Sequence, residues 1–166
     1  MKDFTIKKPR SLSGYPIHRA VAALAQGAPH LWRDNGNTLT IRTAAPVDAP
    51  SVELPAVTVD ELRLFNLRAS VGSKNRGRHV YAPQGNLAIR LVWLEKQSVR
   101  HGFKVISIHC TSEIARVVDQ SGRDFAMDST EFTGVLKITD TAAFQNALRT
   151  GVGSKGKAFG FSLLAI

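Results

Sequence analysis

The most informative part of the chain is residues 132–164, which read FTGVLKITDTAAFQNALRTGVGSKGKAFGFSLL. Aromatic and aliphatic side chains dominate its first seven residues, which predicts a strand. Asp140 can then cap a helix over residues 141–150, where apolar side chains recur at helical spacing. Gly151 ends that helix and opens a glycine-rich loop, and the apolar residues 158–166 predict a final strand. This order of elements predicts a mixed α+β domain.

Patterns of the same kind extend to the other end of the chain. Helices are predicted at residues 15–26, with Ser13 as the cap, and at residues 87–99. Short strands are predicted at residues 4–6, 38–43, 62–69, 103–110, 114–118 and 125–127. Residues 121–122 are a plausible hairpin tip, and the polar segment 70–78 is predicted to be a loop. Strands interspersed with single helices predict two small α+β units in tandem.

The chain carries a large excess of positive charge. Its 166 residues include 22 Lys and Arg against 13 Asp and Glu, a formal net charge of +9. Because 43% of the residues are hydrophobic, the chain can form a core, and general disorder is excluded. The charge favours a polyanionic partner, most often nucleic acid. Two acid-free clusters hold the candidate phosphate contacts: Arg63, Arg68, Lys74, Arg76 and Arg78, and then Arg149, Lys155 and Lys157.

Cysteine use and hydropathy bear on the cellular compartment. Cys110 is the only cysteine, so no disulfide framework is expected, and a reducing environment fits. The first ten residues hold no apolar stretch of the kind that a secretory signal needs. The longest clean apolar run, from Ala20 to Ala25, is far shorter than a membrane span. We therefore expect a cytoplasmic protein without membrane contact.

Two phosphate-binding motifs are imitated by the glycine-rich loop. Residues 151–156 match the dinucleotide fingerprint G-x-G-x-x-G, but a helix precedes them and a strand is predicted after them, which inverts the required context. The same residues followed by Lys157 resemble a P-loop, but Ala158 has no hydroxyl group for magnesium. Two interpretations stay open. The loop either contacts RNA or phosphate through its exposed N–H groups, or merely connects a helix to a strand.

Histidines provide the candidate proton-transfer groups. None of the five shows the spacing of a zinc site, so neither a metal nor another cofactor is expected. His18 follows Tyr15 by three residues on the first predicted helix, which places both side chains on one face. An imidazole with a pKa near 6.5 can accept or donate a proton at neutral pH. RNA cleavage needs such transfers at the 2′-oxygen and the 5′-oxygen, and Arg19, Lys155 or Lys157 could stabilise the charge that develops on the phosphate.

Taken together, these motifs resemble those of the CasE-type CRISPR-associated endoribonucleases. The similarity rests on Tyr15-Pro16-Ile17-His18-Arg19, on Leu64-Phe65-Asn66-Leu67-Arg68-Ala69, on Trp93-Leu94 and on residues 132–138 and 151–164. It implies two tandem ferredoxin-like (RRM-like) domains, over residues 1–82 and 83–166. It also implies metal-independent cleavage of a CRISPR repeat hairpin by 2′-OH attack, which leaves a 2′,3′-cyclic phosphate. The product would stay bound within a multi-subunit guide-RNA effector complex.

The resemblance also implies roles for particular residues. His18 would be catalytic, with Tyr15 beside it at the scissile phosphate. RNA would be bound by Arg19, Arg68, Lys74, Arg76, Arg78, Arg116, Arg123, Gly151, Gly153, Ser154, Lys155, Gly156 and Lys157. The chain departs from the family pattern by a shorter segment between Thr43 and Leu62 and by few cations at the 121–122 hairpin. A catalytically inactive hairpin-binding subunit and a structural subunit of a ribonucleoprotein are the alternatives.

Overall fold

A computed structural model describes residues 1–9, 14–76 and 78–166 of the protein. The strands are β1 (Lys2–Lys7), β2 (His30–Asp34), β3 (Thr38–Thr43), β4 (Ser51–Glu53), β5 (Leu62–Ala69), β6 (Gly72–Asn75), β7 (Arg78–Tyr81), β8 (Phe103–Val118), β9 (Asp124–Ile138) and β10 (Leu164–Ala165). The helices are α1 (Tyr15–Leu24), α2 (Leu87–Arg100) and α3 (Thr141–Thr150), with a short 3-10 helix at Lys157–Phe159.

Two four-stranded antiparallel sheets share one topology. The first has the order β4-β1-β3-β2 and the second has the order β10-β5-β9-β8. Counted along the chain within each sheet, both orders are 4-1-3-2. In the second half α2 and α3 fill the two crossovers, which completes a β-α-β-β-α-β ferredoxin-like unit. The predicted tandem ferredoxin-like fold is confirmed.

In the first half, the second crossover contains no helix. Residues 44–50, which join β3 to β4, form bends and no helix. Pro46 and Pro50 explain this, because proline removes a backbone donor and disfavours helix in the residue before it. The change from one sheet to the other falls between β4 and β5, and β5 pairs with β9 and β10 in the second sheet. The domain limits 1–82 and 83–166 stay a prediction.

Each sheet buries one face under helices. In the first half, Ile17 and Val21 of α1 pack against Trp32, Leu39 and Ile41. The second core is larger and joins α2 and α3 to their sheet through buried residues that include Phe65, Leu67, Leu94, Phe132, Leu136, Phe144 and Leu148. Burial of this apolar surface is the main stabilising contribution to both halves.

Two predictions about loops and strands were wrong. Residues 70–78, predicted as a loop, lie mostly in the hairpin formed by β6 and β7, where Ser73 pairs with Val80. A two-stranded hairpin can form with few apolar residues, so the polar composition of this segment did not predict it. The final strand is Leu164–Ala165 instead of residues 158–166, because Gly160 and Ser162 adopt positive φ angles of 81° and 82° that interrupt an extended chain.

The other elements follow the predictions with smaller differences. The segments predicted at residues 103–110 and 114–118 merge into the single strand β8, and the tip at 121–122 joins it to β9. Strand β2 was not predicted. The proposed cap Ser13 lies outside the described residues, and Gly14 occupies the N-cap position of α1. No helix among the described residues is long and apolar enough to span a membrane.

Two buried arginines bind together elements that are distant in sequence. Arg90 of α2 pairs with Asp128 and donates to the Thr130 hydroxyl and to the Pro83 and Asn86 carbonyl oxygens. Both ionic side chains are less than 5% exposed. In the first sheet, the buried Arg42 of β3 pairs with Asp3 of β1.

Arg42 links the two halves of the chain. Its guanidinium donates to both carboxylate oxygens of Asp3 at 2.6 and 2.7 Å. It also donates to the carbonyl oxygens of Leu148 and Leu164, each at 2.8 Å, in the second half. One guanidinium therefore connects β1 and β3 to α3 and β10.

Candidate functional site

The start of α1 brings three rings together. Tyr15 and His18 lie one turn apart, with ring centroids separated by 5.3 Å. His30, the first residue of β2, places its ring centroid 5.7 Å from that of His18, with 35° between the ring planes. Ile17 and Val21 fix the rotation of α1 on its sheet, so the predicted pair is oriented by the core. Sequence reasoning found Tyr15 and His18 but missed His30.

Local burial controls the protonation of His18. Burial, and then the charge of His30, lowers the pKa of His18 from its ordinary value of 6.5. Its Nδ1 atom is buried and has no hydrogen-bond partner among the described residues. A protonated imidazole carries a hydrogen on both nitrogens, so the cation would bury an unsatisfied donor. The neutral form of His18 is therefore favoured over the cation, and the neutral form is the one that can act as a base.

A cleft of about 540 Å³ lies in front of α1. One wall is formed by Tyr15, Pro16, Arg19 and Ala20 of α1, and the other by residues 118–122 at the β8–β9 tip. The Arg19 side chain is exposed at this cleft. The arrangement leaves room for a polar chain to pass between the helix and the hairpin tip.

Cations near this hairpin tip are partly neutralised. Arg123 pairs with Asp119 at 3.4 Å, and Arg116 pairs with Asp124 at 3.2 Å. Both arginine side chains are more than three-quarters exposed, so these pairs are weak and can exchange for phosphate. RNA binding by Arg116 and Arg123 stays a prediction.

The glycine-rich loop lies between α1 and the β6–β7 hairpin. Lys155 Nζ donates to the Ser73 carbonyl oxygen at 2.9 Å and lies 5.5 Å from the centre of the Tyr81 ring. Lys157 Nζ donates to the Thr150 carbonyl oxygen at 2.6 Å, and the 3-10 helix that Lys157 begins packs against α1. The loop thus connects the surroundings of His18 to the hairpin.

A second cleft, of about 250 Å³, opens beside this loop. The predicted residues Gly151, Gly153, Ser154, Lys155 and Lys157 all line it, whereas Gly156 does not. Arg100 and His101, at the end of α2, add two basic side chains that sequence reasoning missed. None of the described lining residues is acidic.

The pKa of His101 shows that the second cleft is electropositive. Burial, and then the charges of Arg100 and Lys157, lowers the pKa of His101. Basic groups therefore act on one another across the cleft, and an anion placed there would relieve their repulsion.

Close packing requires glycine at the end of the loop. Gly160 has a φ of 81°, and a Cβ atom there would lie 2.9 Å from the ring of Trp32, beneath α1. Gly156, with a φ of 78°, would place a Cβ 2.7 Å from the ring of Phe161. The role of Gly156 seen in the structure is therefore close packing of the loop, and its RNA contact stays a prediction.

Gly160→Ala is expected to destabilise the protein more than Gly122→Ala. At Gly122 the φ is 83° and a Cβ would meet nothing within 4 Å, so only backbone strain of about 1 kcal/mol is added. At Gly160 the contact with Trp32 adds overpacking, for a total of about 3 kcal/mol. Urea unfolding of both variants measures the difference. Equal losses would show that the Trp32 contact does not constrain the loop.

Arg68 lies in a network between the two sheets. Glu131 accepts hydrogen bonds from Arg33 at 2.6 Å, Asn66 at 2.7 Å and Arg68 at 3.3 Å. Burial opposes ionisation of Glu131, but the Asn66 hydrogen bond and the charges of Arg33 and Arg68 outweigh it and lower the pKa of this carboxyl group. The structure therefore places Arg68 against a carboxylate, and its contact with RNA stays a prediction.

The remaining predicted cations belong to the β6–β7 hairpin. Arg76 is exposed at its turn, with a φ of 47°. The side chains of Lys74 and Arg78 lie outside the described part of the structure. Within that part, no three or more His, Cys, Asp or Glu side chains converge as metal ligands would.

Comparison with known protein families shows the family of this chain. Residues 43–166 match the family described as CRISPR associated protein. The chain belongs to this family. No curated protein sequence matches this CRISPR-associated protein. The match includes β5, the β8–β9 hairpin and the glycine-rich loop, which confirms the predicted resemblance.

Solved structures with the same fold include RNA-bound examples. The CRISPR endoribonuclease Cse3 bound to 19 nt RNA has a TM-score of 0.81 and 20% identity, over 99% of this chain and 98% of that one. Thermus thermophilus Cse3, bound to an RNA representing a pre-cleavage complex, gives 0.80 and 20% over 99% and 97%. Escherichia coli K-12 Cas6e gives 0.81 and 20% over 99% and 98%. A chain of a CRISPR RNA-guided surveillance complex gives 0.78 and 18% over 99% and 98%.

Proposed function

We propose that this CRISPR-associated protein is an endoribonuclease that cuts CRISPR repeat hairpins from precursor RNA to give guide RNA. The observation that carries the proposal is the group of Tyr15, His18 and His30 at the start of α1, where Tyr15 also lines a cleft of about 540 Å³. The Cse3 structures with the same fold hold RNA, which supports the choice of substrate.

The chemistry follows from the protonation of His18. Its neutral imidazole accepts the proton of a 2′-OH, and the 2′-oxygen attacks the adjacent phosphorus atom. The bond from phosphorus to the 5′-oxygen breaks, and that oxygen takes a proton from water. The protonated His18 then returns its proton to the hydroxide that remains. The products are a 2′,3′-cyclic phosphate and a 5′-hydroxyl. Since the 2′-oxygen of the substrate is the nucleophile and an imidazole is the base, the reaction needs no metal ion.

Tyr15 and basic groups complete the proposed site. The Tyr15 ring lies against His18 and limits its movement, so the imidazole stays aimed at the phosphate. Arg19 lines the same cleft and can neutralise charge that builds on the phosphate oxygens. These contributions act in the transition state, when the negative charge is greatest.

The RNA stem is proposed to follow the basic loops. Arg100, His101, Lys155 and Lys157 line the second cleft, and Arg76 is exposed on the adjoining hairpin. The proposed RNA-binding set is Arg19, Arg68, Lys74, Arg76, Arg78, Arg116, Arg123, Gly151, Gly153, Ser154, Lys155, Gly156 and Lys157. After cleavage the hairpin stays bound, as a subunit of an RNA-guided complex would require.

Cleavage in a chelator tests the proposed function. Purified protein in EDTA is expected to cut its own repeat hairpin and leave a 2′,3′-cyclic phosphate, detected by mass spectrometry of the upstream product. A hairpin with a 2′-deoxy nucleotide at the cut site is the matched control and should bind but stay intact. Tight hairpin binding without cleavage would instead identify a binding subunit, and cleavage only with magnesium would contradict the mechanism.

A cytoplasmic location is part of the same proposal. Cys110, the only cysteine, is unpaired, which fits a reducing compartment.

A further inference from the structure

His30 is held firmly at the edge of the proposed site. Its Nδ1 atom lies 2.9 Å from the Ala28 carbonyl oxygen, and because a carbonyl oxygen only accepts, Nδ1 carries the hydrogen. His30 pairs with Thr43 across β2 and β3, and the Thr43 hydroxyl donates to the Pro29 carbonyl oxygen at 3.2 Å. The contact of Nδ1 with the Ala28 carbonyl oxygen therefore sets the orientation of the His30 ring, and strand pairing sets that of its backbone.

The two imidazoles are close enough to affect each other. With centroids 5.7 Å apart, two protonated rings would repel, so charge on either ring disfavours charge on the other. The buried Nδ1 of His18 further disfavours the His18 cation, which would lack an acceptor at that nitrogen.

Other charged groups lie on the elements near His18, but they do not account for its lowered pKa. Arg19 follows His18 on α1, Asp119 lies at the hairpin tip across the cleft, and Lys157 begins the 3-10 helix. His30 is the charged group that lowers the pKa of His18, second only to burial. The contact with His30 is therefore the charge interaction that acts on His18.

We propose that His30 is a positioning residue for RNA cleavage, which packs against the His18 ring and controls its readiness to accept the 2′-OH proton. This inference rests on the proposed function, because it assigns His30 a part in that reaction. His30 itself need not touch the RNA. It acts through the ring contact and through its charge.

The pH dependence of cleavage separates this role from a merely structural one. His30→Phe keeps a ring beside His18 but removes the charge, so we expect the acidic limb of the pH–rate profile to move up by about 0.5 pH unit. At pH 5.5 the rate would fall about threefold, while at pH 8 it would be unchanged. His30→Lys, which keeps a positive charge, should leave the limb within 0.2 unit or so of wild type. The exposed His109→Gln is the control and should leave the whole profile unchanged.

NMR titration of the free protein provides a readout that does not depend on cleavage. The imidazole Cε1–H signal of His18 is expected to titrate about 0.5 pH unit higher in His30→Phe than in wild type. An unchanged His18 titration, or a loss of cleavage that is equal at every pH, would overturn the positioning role. Wild-type protein that cuts no RNA would instead overturn the proposed function, so the two failures are distinguishable.

Discussion

His18→Ala is expected to reduce the cleavage rate at pH 7.5 by about 10³-fold while hairpin affinity changes by less than about twofold. The variant removes the neutral imidazole that is proposed to accept the 2′-OH proton. It leaves Lys155, Lys157 and Arg100 of the second cleft in place. Single-turnover cleavage measures the chemical step, because a hairpin product that stays bound would otherwise limit turnover. Binding is measured separately with the 2′-deoxy hairpin.

The wild-type pH profile and a matched variant make the His18 result specific. Since burial and His30 lower the pKa of His18, the wild-type rate should rise through a pH below 6.5 and then stay level, as expected for a base. His109→Ala, on the exposed face of β8, should cut at the wild-type rate. If His18→Ala kept more than about a tenth of the activity, another group would have to be the base.

Arg90→Met is expected to lower the free energy of unfolding by about 3–5 kcal/mol. The substitution leaves the Asp128 carboxylate, 4% exposed, without its ion pair, and removes the donor to the Thr130 hydroxyl. Asp128 would keep only the Val71 N–H at 2.9 Å and the Thr130 hydroxyl at 2.8 Å. Equilibrium unfolding in urea measures the loss, and a variant too unstable to fold would agree with it.

Arg116→Met is the matched control for Arg90→Met. Arg116 also pairs with an aspartate, Asp124, but its side chain is 78% exposed, so we expect a change below about 0.5 kcal/mol. Similar losses for the two variants would contradict the view that burial, and not the ion pair as such, sets the cost.

Local signals explain what could be predicted from the sequence. Helix α3 was predicted with both limits, because the Asp140 side chain accepts from the Ala143 N–H at 3.0 Å and Gly151 follows the last turn with a φ of 84°. Tyr15 and His18 were paired for a similar reason, since three residues make about one helical turn. Both conclusions need only neighbours within a few residues.

The parts that were missed depend on contacts between distant residues. His30 lies twelve positions after His18, on a strand that the pattern did not reveal, and only sheet formation brings the rings together. Lys155 reaches the Ser73 carbonyl oxygen across 82 positions. No spacing rule links α2 to the glycine-rich loop, so Arg100 and His101 could not be assigned to the second cleft. Long-range packing, which propensity does not encode, decided each case.

The buried Arg42 has a consequence for cooperativity. Its guanidinium is 1% exposed and satisfied partly by Asp3 in one half and partly by two carbonyl oxygens in the other. Separating the halves would leave a buried charge with unmet hydrogen bonds, at a cost that neither half can recover alone. We therefore expect the two ferredoxin-like halves to unfold in a single cooperative transition. Arg42 thereby ties the half that carries the imidazoles to the half that carries the glycine-rich loop.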